Sequence, residues 1–169
     1  MAIIIIIIIL LSTVVLAGIS LAPWVPCRTK DLKRIFKLAK LQPNEIFYDI
    51  GCGNGKTVIY ANKHFGAKAI GIELAFPLFL VCKIRQLFNR DKSIIFKYGN
   101  LFKVNFSEAD VVYVFGMPDV VKNRLKKKLA RELKSGTRII SYVFPIEGWE
   151  PIIIDKPSKK EVAIYLYQV

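Results

Sequence analysis

The first 22 residues differ from the rest of the chain because none of them carries a charged side chain. They include seven consecutive isoleucines at 3–9. As an α-helix, residues 2–22 would extend about 31 Å, which matches the hydrocarbon core of a bilayer. The flank 23–26 contains two prolines, which end a helix, and Trp24, which suits a membrane interface. The pattern predicts a transmembrane helix, with residues 1–23 as the anchor.

A cleaved signal peptide and a buried core helix are the alternatives for this segment. A signal peptide has a basic region before a shorter apolar stretch, although the small residues at 16–18 and 21–22 would suit cleavage. For a helix of an ordinary globular domain, the segment is too apolar, because isoleucine occupies every face. All 26 Lys and Arg residues follow the segment. The positive-inside rule therefore predicts a single-pass protein with its C-terminal domain on the cytosolic or matrix-like side.

Short apolar runs alternate with amphipathic segments in the remainder. The runs predict strands at 46–50, 68–73, 94–98, 110–115 and 137–143. The amphipathic segments predict helices at 29–41, 55–65, 77–90 and 118–134. Two final apolar runs, at 149–155 and 161–168, flank a turn-like linker and predict a terminal antiparallel hairpin. This order predicts an α/β fold with a parallel sheet that is covered on both faces and completed by the hairpin.

Basic residues are concentrated in two segments of a chain whose net charge is +13. In residues 24–41 they share one helical face, which predicts a juxtamembrane helix held on anionic lipid headgroups at about 1 kcal/mol per basic residue. An amphipathic helix that packs on the C-terminal domain, residues 42–169, is the alternative. The second segment, 119–134, is either a solvated helix face or a docking surface for lipid or an acidic partner. Aromatic interleaving is missing from it, so nucleic acid is not expected as a partner.

Cysteine and histidine do not suggest a metal site. Cys27, Cys52 and Cys82 are far apart in the chain, and His64 is the single histidine. Structural zinc sites place their ligands in closely spaced pairs. We therefore predict no bound metal.

A glycine-rich turn carries the clearest chemical signal. The first predicted strand leads into Asp49-Ile50-Gly51-Cys52-Gly53-Asn54-Gly55, and the second ends at Glu73. Glycines let the backbone turn sharply and approach a ligand, and the following helix offers free N–H groups. An acidic residue at the end of the second strand can accept hydrogen bonds from both ribose hydroxyls. The pattern favours a nucleoside cofactor over a turn with no ligand, at the C-terminal ends of strands one, two and four.

The G-x-G-x-G spacing resembles motif I of the Rossmann-like S-adenosylmethionine-dependent methyltransferases, whereas dinucleotide sites use G-x-G-x-x-G. The segments 111–118, 125–133 and 136–141, with Phe144 and the pair Gly148-Trp149, resemble a smaller group. That group is the compact protein-lysine methyltransferases, which include archaeal broad-specificity enzymes and the membrane-anchored mitochondrial ATP synthase c-subunit lysine methyltransferases. The resemblance implies a seven-stranded methyltransferase sheet, S-adenosylmethionine as cofactor, and a lysine of a protein in or near a membrane as substrate.

The resemblance also implies which residues hold the cofactor. Seven residues are expected at that site: Asp49, Gly51, Gly53, Gly55, Glu73, Asn100 and Leu101. Asn100 could instead be a turn residue. The family's segment after the anchor reads Val-Pro-Thr/Ser-Pro, whereas this chain has Val25-Pro26-Cys27-Arg28. If that segment covers the cofactor, affinity or substrate choice would differ.

A lysine acceptor must lose its proton before it can attack a methyl group. About 1 in 2,500 lysine side chains with an ordinary pKa is neutral at pH 7, and desolvation by aromatic walls lowers that pKa. The aromatic candidates for a substrate channel are Phe115, Phe144, Trp149 and Trp24, each of which could equally be a core or interface residue. No catalytic base is identified, and the oligomeric state is left open.

Two other functions fit parts of the sequence. A methyltransferase for a lipid, quinone or other small membrane-borne molecule would share the cofactor site and the anchor, but the chain is too short for an apolar cap domain. A non-catalytic membrane scaffold would be indicated by loss of Asp49, Glu73 or a motif glycine, and all of these are present. Base methylation is disfavoured because the sequence Phe115-Gly116-Met117-Pro118 offers no polar side chain to a planar amine.

Overall fold

A seven-stranded sheet organises the chain. The structure, a computed structural model, describes residues 1–89 and 91–169. The strands are β1 (Ile46–Ile50), β2 (Lys68–Glu73), β3 (Ile94–Tyr98), β4 (Val111–Val114), β5 (Arg138–Tyr142), β6 (Ile153–Asp155) and β7 (Ile164–Gln168). Their order is β3-β2-β1-β4-β5-β7-β6. The first five are parallel, and β7 is antiparallel to both β5 and β6. The predicted sheet and its terminal antiparallel strands are thereby confirmed.

The helices lie close to their predicted positions. They are α1 (Ala2–Ser20), α2 (Thr29–Ala39), α3 (Lys56–Phe65), α4 (Phe76–Phe88), α5 (Pro118–Val120) and α6 (Lys126–Glu132). A π-helical turn, Val121–Leu125, joins α5 to α6. The predicted helix 77–90 corresponds to α4, which begins one residue earlier than predicted. Its last predicted position, Arg90, lies outside the described residues.

Burial explains why the parallel strands read as continuous apolar runs. β1 has both of its faces covered, and its residues from Phe47 to Ile50 are buried. One face packs under α2 and α3, where Phe36 contacts Phe47 edge-on with 5.2 Å between ring centroids. The other packs under the π-helical turn and α6, where Leu125 and Leu129, respectively, are fully buried. Strands buried on both sides lack the two-residue alternation of half-exposed sheets.

The helix α2 belongs to the core of the catalytic domain. Its apolar face, which includes Leu32, Ile35 and Phe36, is buried in the core that surrounds β1. Its basic face is partly engaged as well, because Arg34 donates to Asp31 at 2.8 Å and to Asp155 at 3.1 Å. The predicted boundary at residue 41 therefore does not coincide with a break in the packing.

A buried carboxylate ties α2 to β5. Asp31 is fully buried and accepts hydrogen bonds from Arg28 (2.6 Å), Arg34 (2.8 Å) and the hydroxyl of Tyr142 (2.7 Å). Burial alone would raise the pKa of Asp31, but these three donors hold it below its ordinary value. Ionised Asp31 therefore stabilises the fold above pH 4, and that contribution is lost as the pH falls through the lowered pKa.

We expect Tyr142→Phe to lower the free energy of unfolding by about 1.5–3 kcal/mol, because one hydrogen bond to a charged group is lost while Asp31 keeps both arginines. Urea denaturation at pH 7 measures this loss. The matched control is Tyr165→Phe, which alters a tyrosine of β7 that takes no part in the Asp31 network. Equal stability of Y142F and the unmodified protein would show that the hydroxyl contributes nothing.

The C-terminal half of α1 packs on the catalytic domain. The Thr13 hydroxyl accepts a hydrogen bond from the Phe76 N–H at 3.1 Å, and the Leu21 carbonyl accepts one from the Met117 N–H at 2.9 Å. Leu21 is buried, whereas the isoleucines at 3–9 are about half exposed or more. Residues Ile3–Ser20 are long and apolar enough to cross a membrane, judged by length and composition.

Candidate active site

A cleft opens at the C-terminal ends of β1, β2 and β4, where the sequence predicts the cofactor. Counted out to its open mouth, the space between its walls is about 860 Å³. Asp49 comes from β1, Glu73 from β2, and Tyr113 and Phe115 from β4 and the residue after it. The parallel strand order places these ends beside one another at the centre of the sheet.

The glycine-rich turn forms the floor of this cleft. Gly51, Gly53 and Gly55 all have positive φ (80°, 56° and 73°), which explains glycine at alternate positions. A Cβ at Gly53 would lie 2.4 Å from the Trp24 indole nitrogen. Gly51 borders the cleft directly. The other two glycines shape the turn that presents Cys52 and Asn54 to it.

We expect Gly53→Ala to weaken binding of S-adenosylhomocysteine by roughly tenfold. The left-handed backbone costs an alanine about 1–2 kcal/mol, and its methyl group would displace Trp24. Isothermal titration calorimetry gives the affinity. Gly136→Ala is a matched control because Gly136 also has positive φ (88°) but has open space where a Cβ would be. A similar loss of affinity in both variants would exclude a local effect at the turn.

Glu73 braces the turn through two backbone hydrogen bonds. Its Oε2 accepts from the Gly53 N–H and its Oε1 from the Ala75 N–H, both at 2.7 Å. Burial raises the pKa of Glu73, and these N–H groups oppose the shift. Each carboxylate oxygen keeps a second lone pair for a further donor, such as a ribose hydroxyl.

Asp49 is the most deeply buried acid of the cleft. Only 1% of it is exposed, and within the described chain its Oδ1 has no hydrogen-bond partner. Burial, and then the negative charge of Glu73, raise the pKa of Asp49 well above its ordinary value. A buried polar atom without a partner calls for a donor or cation from a ligand.

The two cofactor residues predicted after β3, Asn100 and Leu101, have different roles in the structure. Leu101 lines the cleft. Asn100 caps the short 3₁₀ turn Leu101–Lys103, because its Oδ1 accepts from the Phe102 N–H at 2.9 Å. The Asn100 side chain therefore stabilises a turn, which is the alternative role that the sequence also allowed.

The four aromatic candidates occupy three different environments. Phe115 lines the cleft and stacks on Phe144, with 6.1 Å between ring centroids and 29° between planes. Trp24 covers the glycine turn and is half exposed. Trp149 instead packs against Tyr167 at 6.1 Å and beside Lys126, on the opposite side of the sheet. Two of the four, Trp24 and Phe115, therefore line the cleft; Phe144 adjoins it through its stacking on Phe115, and Trp149 lies apart.

The segment after α1 covers the cleft. Trp24, Val25, Pro26 and Cys27 line it, and the Lys56 ammonium holds the segment by donating to the Cys27 carbonyl at 3.0 Å. Cys27 is buried, which raises the pKa of its thiol to about 11. Arg28 turns away from the cleft and pairs with Asp31 and Glu161. Of the two departures from the family's pattern, the cysteine therefore lies at the cleft and the arginine does not.

The wall formed by α1 is the feature that the sequence interpretation missed. Val14, Ala17, Gly18 and Leu21 line the cleft, so one side of the apolar helix belongs to the site. Thr13, Ala17 and Ser20 recur at helical spacing and mark a face of small and polar residues. That spacing is the signal that could have revealed this wall.

Comparison with known proteins identifies the family. Residues 49–153 match the family model described as the ANTKMT methyltransferase domain. The chain belongs to this family. It is 37% identical over 156 residues to a protein-lysine N-methyltransferase of Saccharolobus islandicus, covering 87% of this chain and 93% of that protein. It is 36% identical over 132 residues to the human ATP synthase c-subunit lysine N-methyltransferase, covering 76% of this chain and 54% of that protein. The chain therefore spans about half the length of the human relative.

Solved structures agree with the fold. A structure described as an RNA methyltransferase from Salinibacter ruber, in complex with S-adenosylhomocysteine, superimposes with a TM-score of 0.80 at 28% identity. The match covers 85% of this chain and 93% of that one. A methyltransferase from Geobacter sulfurreducens gives 0.60 at 21% identity, over 69% and 49% of the two chains. The predictions of a methyltransferase fold, of an enzyme and of S-adenosylmethionine as cofactor are confirmed.

The residues of the cleft fit this cofactor. The glycine turn offers a close approach to the backbone, and Glu73 offers carboxylate lone pairs for hydroxyl groups. The unpaired Asp49 Oδ1 offers a negative site for a cofactor that carries a sulfonium and an ammonium group. Each of these features matches a chemical group of the cofactor.

Proposed function

We propose that this protein transfers a methyl group from S-adenosylmethionine to the side-chain amine of a lysine in a protein in or beside a membrane. One observation carries the proposal: the cleft is lined by Phe115, which stacks on Phe144, in a chain 37% identical to a protein-lysine N-methyltransferase. The human relative, which is named for the ATP synthase c-subunit, and a mouse relative named for the adenine nucleotide translocase support a membrane-protein substrate.

The cofactor residues divide the work of binding. Glu73 and the glycine turn would hold the nucleoside part of the cofactor, Asp49 would bind its positively charged groups, and Leu101 borders the cleft. S-adenosylmethionine supplies an activated methyl group on a sulfonium. Trp24 and the segment 25–27 limit access of water, which strengthens the electrostatic interactions inside the cleft. Asn100 contributes by fixing the turn that presents Leu101.

The aromatic pair prepares the acceptor. A lysine that enters between Phe115 and the segment 24–27 that covers the cleft loses part of its hydration. This loss lowers the pKa of the lysine and favours the neutral amine. The Phe144 carbonyl accepts from the Ser141 hydroxyl at 2.6 Å, so the loop that carries Phe144 is held in place. The chain's contribution to catalysis is alignment and a dry, apolar surrounding. No side chain is required as a base in the reacting step, because proton release precedes transfer.

Membrane attachment by α1 is part of the proposal. The helix is uncharged and the isoleucines at 3–9 project from the domain. Lipid would cover that exposed apolar surface. The positive-inside rule places the catalytic domain on the cytosolic or matrix-like side, where S-adenosylmethionine is made available to it. Tethering raises the local concentration of membrane-borne substrates.

Labelled methyl transfer tests the proposal. The full chain in lipid nanodiscs is given S-adenosylmethionine with a radioactive methyl group and membranes of the source cell, and the products are separated into protein, lipid and RNA. We expect the label in protein. Label confined to lipid would replace the proposal with a small-molecule methyltransferase, and label confined to RNA would match the description of the Salinibacter protein.

A further inference from the structure

The helix α4 has an apolar face that the domain does not cover. Of its residues, all of which the structure describes, only Cys82 is buried. Five large apolar side chains are exposed: Leu80 (44%), Val81 (37%), Ile84 (55%), Leu87 (73%) and Phe88 (84%). At 100° per residue these five occupy an arc of about 120°, and Cys82 lies on the opposite side. The exposed arc, named here the α4 face, is therefore a continuous apolar stripe.

Basic side chains border the α4 face on both sides. At 100° per residue, Lys83 falls about 40° beyond one edge of the arc and Arg85 about 40° beyond the other. The helix contains no acidic residue. An apolar stripe with a positive charge on each side resembles the arrangement of helices that lie in the headgroup region of anionic bilayers.

The α4 face also begins beside the apolar helix α1. The Phe76 N–H at the start of α4 donates to the Thr13 hydroxyl of α1 at 3.1 Å. Leu80 lies one turn further along α4, about 6 Å away on the same side of the helix. On α1, the side chains of Val15, Leu16 and Ile19, which flank the packed residues, are more than half exposed. Both helices therefore carry exposed apolar side chains within a few residues of the contact between Thr13 and Phe76.

We infer that α4 is a second membrane contact, which lays the catalytic domain on an anionic lipid surface beside the α1 anchor. This inference rests on the proposed membrane attachment and deepens it. The side of α1 that lines the cleft and the side that is exposed to lipid belong to the same stretch, residues 13–21. The cleft is therefore held at the height of the bilayer surface, and the favoured substrates are lysines within a few residues of a membrane-embedded segment.

Spin labels on the full chain in nanodiscs with anionic lipid test this contact. A label is attached at Ile84→Cys and, as a matched control, at Ile154→Cys; the two isoleucines are 55% and 56% exposed. Ile154 lies on β6, at the opposite edge of the sheet from β3. The native cysteines are buried and stay unlabelled. We expect the label at 84 to collide preferentially with oxygen, which dissolves in lipid, and the label at 154 with a water-soluble nickel chelate.

A third label, at Ile5→Cys, separates the two proposals. Lipid contact at 5 with water contact at 84 would overturn the α4 inference and leave the anchor intact. Water contact at both positions would remove the anchor and the inference together. Protection of the label at 84 from both reagents would mean that a protein, or a second copy of this chain, covers the α4 face, and it would overturn the lipid assignment. Calorimetric binding of S-adenosylhomocysteine shows that each labelled protein is folded.

Discussion

Replacement of Glu73 by alanine is expected to weaken cofactor binding by roughly 100-fold. The carboxylate accepts the Gly53 and Ala75 N–H groups, both at 2.7 Å, so its removal leaves two backbone donors without partners in a buried turn. It also removes the acceptor proposed for the ribose hydroxyls. Hydrogen bonds to a charged group contribute about 1.5–3 kcal/mol each, and 1.4 kcal/mol corresponds to a tenfold change in affinity.

Calorimetry with S-adenosylhomocysteine measures this effect, and Glu108→Ala, which removes an exposed acid, serves as the control. Circular dichroism establishes that the Glu73 variant keeps its secondary structure. An unchanged affinity in a folded Glu73→Ala protein would falsify the assignment of this cleft to the cofactor.

Replacement of Asp49 by asparagine is expected to have opposite effects on stability and on binding. The buried, unpaired carboxylate is costly in the free protein, so the variant should gain about 1–2 kcal/mol in unfolding free energy at pH 7. Affinity for S-adenosylmethionine should fall by about tenfold or more, because the negative site for its charged groups is lost. Such an exchange of stability for function is typical of binding sites.

The pH dependence of unfolding gives an independent measurement of the same carboxylate. A buried acid with a raised pKa keeps its proton in the folded state at pH values where the unfolded chain has lost it. Stability therefore falls as the pH rises from about 4 through the raised pKa of Asp49. In urea denaturation of the cofactor-free protein between pH 4 and 8, the advantage of D49N should grow with pH. A difference in unfolding free energy between the two proteins that stays constant, or shrinks, as the pH rises would show that Asp49 does not have a raised pKa in the folded state.

Most of the fold could be predicted because the parallel strands have a simple physical signature. Strands such as β1 and β4 are buried on both faces, so each reads as an apolar run between turn residues. The glycine turn was equally clear, since three residues with positive φ at alternate positions leave little choice but glycine. Glu73 could be placed at the end of β2 because the apolar run ends there. The parallel pairing of β1 and β2 then brings Glu73 close to Asp49.

The features that could not be predicted depend on three-dimensional packing. The sequence of α1 shows a face of small and polar residues at 13, 17 and 20, but it does not show that this side of the helix packs at the cleft, where Ala17 and Gly18 lie. The basic residues of α2 suggested a lipid-facing surface, but Arg28 and Arg34 pair with acids that lie more than 100 positions away. Trp149 follows Phe144 closely in the chain, yet the intervening turn carries it to the far side of the sheet.

Amino-acid analysis of the methylated product tests the central claim most directly. The full chain in nanodiscs is incubated with labelled S-adenosylmethionine and membranes of the source cell, and the labelled protein is hydrolysed to amino acids. The account predicts that the label elutes as methylated lysine and that it disappears when Glu73→Ala replaces the unmodified enzyme. Label on arginine, histidine or glutamine, or lysine methylation that persists undiminished in the Glu73 variant, would contradict it.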